Sequence, residues 1–217
     1  LIGSAGRLTT LSSAQNGVKL AVVKLSRDAV VRAALDLLDE VGLDDLTLRG
    51  VAERLHVQAP ALYWHVKSRQ DLVDEMAAAI VRDGLGDLAP TGAWMDQLGD
   101  IARAYRRTLL SHRDGARVLA EAKTADPALD RLTELSLRTL TSAGFTTPDA
   151  MRALVSVLSY VAGFVAEEQT PRPRPQAPDP VLFPLLTAAG SGRHTVETFE
   201  YGLELLLSGL RLARLTR

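Results

Sequence analysis

Residues 46–67 read LTLRGVAERLHVQAPALYWHVK, and this stretch decides the fold. Thr47 is a helix N-cap type, and Leu48, Val51, Ala52 and Leu55 follow it at three- and four-residue spacing. Four residues, His56 to Ala59, separate this short helix from Pro60. Proline suits the first position of the next helix, where an N–H would have no partner anyway. Two short helices so closely joined make either a helix-turn-helix or a plain αα-corner. What the second helix exposes bears on the choice. At about 100° per residue, Leu62 and Val66 fall on one side, which must pack inward. The other side holds Pro60, Ala61, Trp64 and Lys67, with Tyr63 and His65 at its edges. Leaving such a ring in water forgoes ~1.5–3 kcal/mol of burial, so this side asks for a partner. Cations flank it, as suits phosphates and base edges in a major groove. The plainer alternative is that a neighbouring helix covers both rings.

Working outward, the chain reads as helix from Ser26 onward. Ser26 caps a helix through Val30, Val31, Ala34, Leu35, Leu38 and Val41, and Gly42 supplies its left-handed stop. Ser68 and Asp71 form an S-x-x-D cap for a helix through Leu72, Met76 and Ile80. The stretch Gly84 to Gly92 reads as a domain boundary. A fifth helix runs through Trp94, Leu98, Ile101, Tyr105 and Leu109. A short segment follows at Gly115 to Ala122, then a helix from Asp126-Pro127 to Gly144 and a long one from Thr146 to about Glu168. Residues 169–180 hold five of the ten prolines and read as an irregular loop. A short helix near 181–189, a Gly190-Ser191-Gly192 break and a final helix from Thr195 complete the pattern. No run alternates with period two. The expected class is all-α, with about ten helices in three parts. Residues 1–24 are a flexible arm, 25–70 the helix-turn-helix domain, and 71–217 a larger domain that includes a connecting helix at 69–84.

The chain has 217 residues, 25 Lys+Arg against 26 Asp+Glu, 47% hydrophobic residues and no cysteine. That composition is globular and excludes a disulfide scaffold, a thiolate zinc site and a Cys nucleophile. The apolar stretch Met151 to Val165 is short for a bilayer and carries Arg152, so no membrane partner is expected and the cytoplasm is the expected location. Charge is uneven along the chain. Residues 36–45 carry Asp36, Asp39, Glu40, Asp44 and Asp45 without a cation, while 47–70 carry Arg49, Arg54, Lys67 and Arg69 against Glu53 alone. Such a patch points to an anionic partner only if its cations share a surface.

The segment Leu46 to Leu55, followed by Ala61-Leu62-Tyr63-Trp64-His65-Val66-Lys67, resembles the DNA-binding domain of the tetracycline-repressor (TetR) family. His112-Arg113-Asp114-Gly115-Ala116-Arg117-Val118 and Phe199-Glu200-Tyr201-Gly202-Leu203-Glu204-Leu205 extend the likeness over residues 25–215. The resemblance implies homodimeric repressors that an effector releases from operator DNA, with the fourth helix swinging as a pendulum. It places DNA contacts on Arg49, Pro60, Ala61, Tyr63, Trp64, His65, Lys67 and Arg69. Ala59 and Ala61 stand where tetracycline-binding members carry Gln and Thr for base reading, which leaves the operator sequence open.

The long helix and the last helix are apolar on more than one side. The expected reason is a two-fold interface pairing 148–168 and 195–214 with their copies, where Gly163, Gly202 and Gly209 would permit close approach. The resemblance places an effector cavity among Leu85, Ile101, Tyr105, Leu119, Leu154, Leu158 and Glu167. Leu85, Ile101 and Leu119 replace a drug-binding His, a drug-binding Asn and a magnesium-ligating His of the tetracycline-binding members. Apolar side chains neither ligate a metal nor donate hydrogen bonds, so neither metal nor cofactor is expected and a largely hydrophobic effector is. No H-E-x-x-H, P-loop or G-x-S-x-G occurs, and the four histidines (56, 65, 112 and 194) form no metal pattern, so no enzyme is expected. The competing readings are a helical small-molecule-binding protein and an activator.

Overall fold

The computed structural model describes residues 25–123, 126–171, 178–190 and 194–215. Among these there are ten helices and no strand: α1 (Arg27–Val41), α2 (Leu48–Arg54), α3 (Ala59–Leu62), α4 (Arg69–Leu85), α5 (Trp94–Leu110), α6 (Gly115–Glu121), α7 (Pro127–Ser142), α8 (Thr147–Gln169), α9 (Pro184–Ala189) and α10 (Val196–Leu215). The expected arm at 1–24 lies outside the described residues, as do residues 172–177 of the proline-rich loop.

The caps act as their residue types require. Ser26 Oγ accepts the Ala29 N–H at 3.1 Å, Thr47 Oγ1 that of Gly50 at 3.1 Å, and Ser68 Oγ that of Asp71 at 3.0 Å. Gly42, at φ 83°, turns the chain out of α1. Gly84 differs from expectation, because it lies inside α4 and not in a boundary loop. A Cβ there would overlap the Thr108 side chain of α5, so the glycine serves close helix packing.

Three apolar clusters make the core. Val30, Leu35, Leu38, Leu46, Val51, Leu62 and Val66 of the first three helices and their turns join Leu72, Met76 and Ile80 of α4 and Val118 of α6. Leu98 and Leu109 of α5 meet Leu154, Val157, Val161 and Val165 of α8 and Phe199, Leu203 and Leu207 of α10. Val81 and Leu85, at the end of α4, pack with Ile101, Ala104, Ala128 and Leu132. Helix α4 thus runs from the first cluster into the third. Leu119 packs against all three.

Helix α8 extends to 23 residues, and by length and composition alone it could cross a bilayer, more than its shorter apolar stretch suggested. Its inward face packs on α5 and α10, leaving Met151 and Val155 exposed. Helix α10 likewise buries Phe199, Leu203 and Leu207 and exposes Tyr201, Leu205 and Leu212. Gly202 serves the chain itself, since a Cβ there would overlap the Tyr160 phenol. A Cβ at Gly163 or Gly209 would meet nothing. Gln169, expected in the loop, ends α8, where its amide donates to Leu109 O at 3.1 Å and His112 O at 2.8 Å. Helix α9 buries no residue.

Candidate nucleic-acid interface and effector cavity

The turn between α2 and α3 hinges on His56, which takes the left-handed conformation at φ 54°. Histidine tolerates that region better than most residues, and with no glycine there the turn leaves no mark in the residue order. The Val57 N–H then closes on Ala52 O at 3.0 Å. Helix α3 starts one residue earlier than expected, so Pro60 holds its second position. The regular part of α3 is also shorter, ending at Leu62, and the segment to Val66 continues as a turn with His65 and Val66 N–H groups on Leu62 O at 2.8 and 2.9 Å. The reason is the next cap, because the Asp71 carboxylate accepts the Lys67 N–H at 2.7 Å and draws the chain into α4.

The division into faces survives this shortening. Leu62 and Val66 are fully buried, whereas Tyr63 is 55% and Trp64 89% exposed. Pro60 and Lys67 are exposed, and Ala61 and His65 partly so. Among the described residues, no neighbouring helix covers the indole.

Two of the four cations turn back onto the protein. Arg54 turns back to Glu40 at 2.8 Å, and Arg69, expected at the DNA, donates to Leu43 O at 3.0 Å and to Glu121 at 3.3 Å. Both brace the fold. Arg49 is exposed and paired with Glu53 of its own helix at 2.9 Å. Lys67 is exposed too. Arg27 escaped the sequence reading because it lies 38 residues before His65, whose carbonyl accepts its Nε at 3.0 Å.

Besides Arg54, the acidic run at 36–45 finds partners far along the chain. Asp39 shares a 2.9 Å hydrogen bond with His112 Nδ1 and accepts the Arg113 N–H at 2.8 Å. Arg113 also reaches Glu40 O at 2.9 Å, and Arg117 pairs with Asp44 at 2.6 Å. The Arg117 guanidinium hydrogen-bonded to Asp44 holds that carboxyl below its usual range. Asp114, buried and left-handed at φ 56°, accepts the Leu43 N–H at 2.9 Å. These contacts join the α1–α2 turn to the start of α6.

A cavity of about 250 Å³ lies between α4, α5, α6 and α7, lined by Ala77, Ala78, Val81, Tyr105, Leu119, Ala122, Lys123, Asp126 and Leu129. Burial pushes the Tyr105 phenol above its ordinary pKa, so it stays protonated and able to donate. Asp126 is neutralised by Arg82 at 2.8 Å and caps α7 through the Ala128 N–H at 2.8 Å. Of the seven expected effector residues, only Tyr105 and Leu119 line this space. Leu85 and Ile101 pack in the adjoining third cluster, Leu154 and Leu158 belong to the α5–α8–α10 cluster, and Glu167 is exposed near the end of α8. The structure does not bring those five to the cavity wall. A larger hollow of about 470 Å³ is lined by α7 alone, and one helix encloses nothing. Another, about 410 Å³ beside Trp94 and Arg138, is an open groove.

The comparisons with known proteins agree with this geometry. Residues 30–76 match the model of bacterial regulatory proteins of the tetR family, and residues 87–214 that of the tetracyclin repressor-like C-terminal domain. The chain belongs to the TetR family of bacterial regulatory proteins. It is 39% identical over 207 residues to the tetracycline repressor protein class A from transposon 1721 of Escherichia coli, covering 89% of this chain and 94% of that one. A possible TetR-family regulator from Streptomyces coelicolor A3(2) is similar at a TM-score of 0.75 and 38% identity, covering 87% and 100% of the two chains. A variant of TetR from Acinetobacter baumannii AYE, solved in complex with minocycline, is similar at a TM-score of 0.72 and 35% identity over 88% and 99%. This TetR-family member is a ligand-responsive transcriptional repressor with a helix-turn-helix DNA-binding domain.

Proposed function

We propose that the repressor works in the bacterial cytoplasm as a homodimer, paired through the outer faces of α8 and α10, and binds a palindromic operator. Residues 25–70 carry the DNA contacts, and residues 71–217 hold the effector and the dimer interface. One observation carries the DNA reading: the indole of Trp64 is exposed on a segment whose inward residues, Leu62 and Val66, are already fully buried. Arg49, Pro60, Ala61, Tyr63, His65 and Lys67 complete the contact set, while Arg69 is committed to Leu43 and Glu121. Two-fold pairing would present two such segments ~34–36 Å apart, one per major groove.

The effector is a largely apolar molecule taken into the space lined by Tyr105 and Leu119, with the phenol orienting it. The apolar part of the lining, Ala77, Ala78, Val81, Leu119, Ala122 and Leu129, supports this. Footprinting the purified chain on genomic fragments tests the DNA reading. Protection of a palindrome, with affinity falling ~10³–10⁵-fold between 50 and 200 mM salt, is expected. Retention without salt dependence would overturn it.

A further inference from the structure

We infer that Arg27, Asp71 and Glu75 form a clamp that fixes the pose of the recognition segment, and that Arg27 positions this segment and does not itself bind phosphate. The inference rests on the DNA-binding reading above. Leu62 and Val66 hold the segment by one buried edge. Two apolar anchors leave it free to rock about the line joining them. The regular helix covers only Ala59–Leu62, too short to be rigid by itself. What stops the rocking is polar. Arg27 Nε donates to His65 O at 3.0 Å, and its Nη1 donates to Glu75 at 2.6 Å. Asp71 lies 3.9 Å from Arg27 Nη2 and accepts the Lys67 N–H at 2.7 Å. One carbonyl and one N–H of the recognition segment are therefore tied to the first two turns of α4 through a single guanidinium and two carboxylates.

Only a guanidinium can do this. Its planar fork reaches a carbonyl and a carboxylate in different directions, whereas an ammonium is a point charge. Its half-exposed position also makes Arg27 resemble an ordinary phosphate contact, so a test has to separate the two roles. Base-edge hydrogen bonds weaken steeply with misalignment, and a loosened segment should lose sequence-specific binding while keeping general attraction to DNA. Helix α4 also lines the effector cavity with Ala77, Ala78 and Val81, so the clamp and the cavity wall share one rigid element.

The experiment uses the full chain and a duplex that the wild type selects from a random pool. Glu75→Gln removes a negative charge from a DNA-binding protein, so simple electrostatics predicts equal or tighter binding. The clamp predicts the opposite sign. Specific affinity should fall about tenfold, with non-specific affinity and the salt slope unchanged. Arg27→Lys should lose as much, and Arg27→Gln combined with Glu75→Gln should be no worse than the weaker single variant, because both break one unit. Glu75→Asp, which keeps the charge but withdraws it, should also weaken binding and serves if Glu75→Gln lowers the thermal midpoint. Wild-type or tighter affinity in Glu75→Gln would overturn the clamp. So would full retention in Arg27→Lys with a salt slope lower by about one in Arg27→Gln, the mark of a phosphate contact. A wild type that selects no duplex would overturn the DNA reading itself.

Discussion

Among the described residues, large apolar side chains stand in water at the end of α3, along α8 and α10, and at 181–186 beside α9, and the first two places do so in different ways. At the end of α3, two aromatic rings stand on a short segment with exposed cations nearby in sequence. On α8 and α10, an aliphatic row that includes Met151, Val155, Leu205 and Leu212 runs along two long helices. A duplex rewards the first pattern, because phosphates and base edges meet a few positioned groups. A second copy of the chain rewards the second, because a self-complementary interface needs continuous apolar area. Exposure alone does not name a partner; the side chains around the exposed groups do.

The contrast breaks most readily at the larger patch. Leu205→Arg should convert a dimer into a monomer in analytical ultracentrifugation and cost at least about a hundredfold in operator affinity, near 2.7 kcal/mol, since two half-sites can no longer be held together. An unchanged mass would remove the proposed interface. Trp64→Ala should lower operator affinity by about 1–3 kcal/mol. Its unfolding free energy should stay within ~0.5 kcal/mol of wild type, since an exposed ring contributes little to the core; a large loss of stability would mean that the indole packs within the molecule. Leu119→Trp should fill the cavity and abolish effector release in a gel-shift titration while operator affinity stays within twofold or so. Glu53→Gln should free Arg49 and tighten DNA binding about two- to fivefold at low salt, with the gain vanishing at high salt.

The smallest effect concerns α1 against α4. A hydrogen bond from Arg32 holds the Asp83 carboxyl below its usual range. A depressed carboxylate contributes stability above its unfolded pKa, about 3.9, and loses it as pH falls through the folded value. Arg32→Ala should therefore cost under about 1 kcal/mol at pH 7, given the exposure of the pair. The gap to wild type in urea midpoints should close as pH falls below about 4. A gap that persists at pH 2 would assign the effect to packing.

Much of this was legible in the residues. Ser26, Thr47, Ser68 and Asp126 cap helices as their side chains dictate, because capping is a local contact within three residues. The exposed and buried faces around Leu62, Trp64 and Val66 follow from helical spacing even where the helix is cut short. Less legible was anything that depends on a partner far along the chain. Arg69 reads as a DNA cation until Leu43 O and Glu121 appear beside it. The acidic run at 36–45 reads as uncompensated until Arg54 and Arg117 pair with it and His112 bonds to Asp39. Gly202 reads as an interface glycine until the Tyr160 ring lies on it. The effector set dispersed for the same reason, since only Tyr105 and Leu119 of seven face one cavity.

The amino-acid order was enough for the all-helical class, the side-chain-capped helix starts and the inward and outward sides of the recognition segment. These depend on backbone sterics, capping and apolar period, which act over a turn or two. Only the tertiary structure decided which charges are committed, which glycines are crowded and which side chains share a cavity. Those outcomes depend on atoms brought together from opposite ends of the chain, and such meetings leave no local mark.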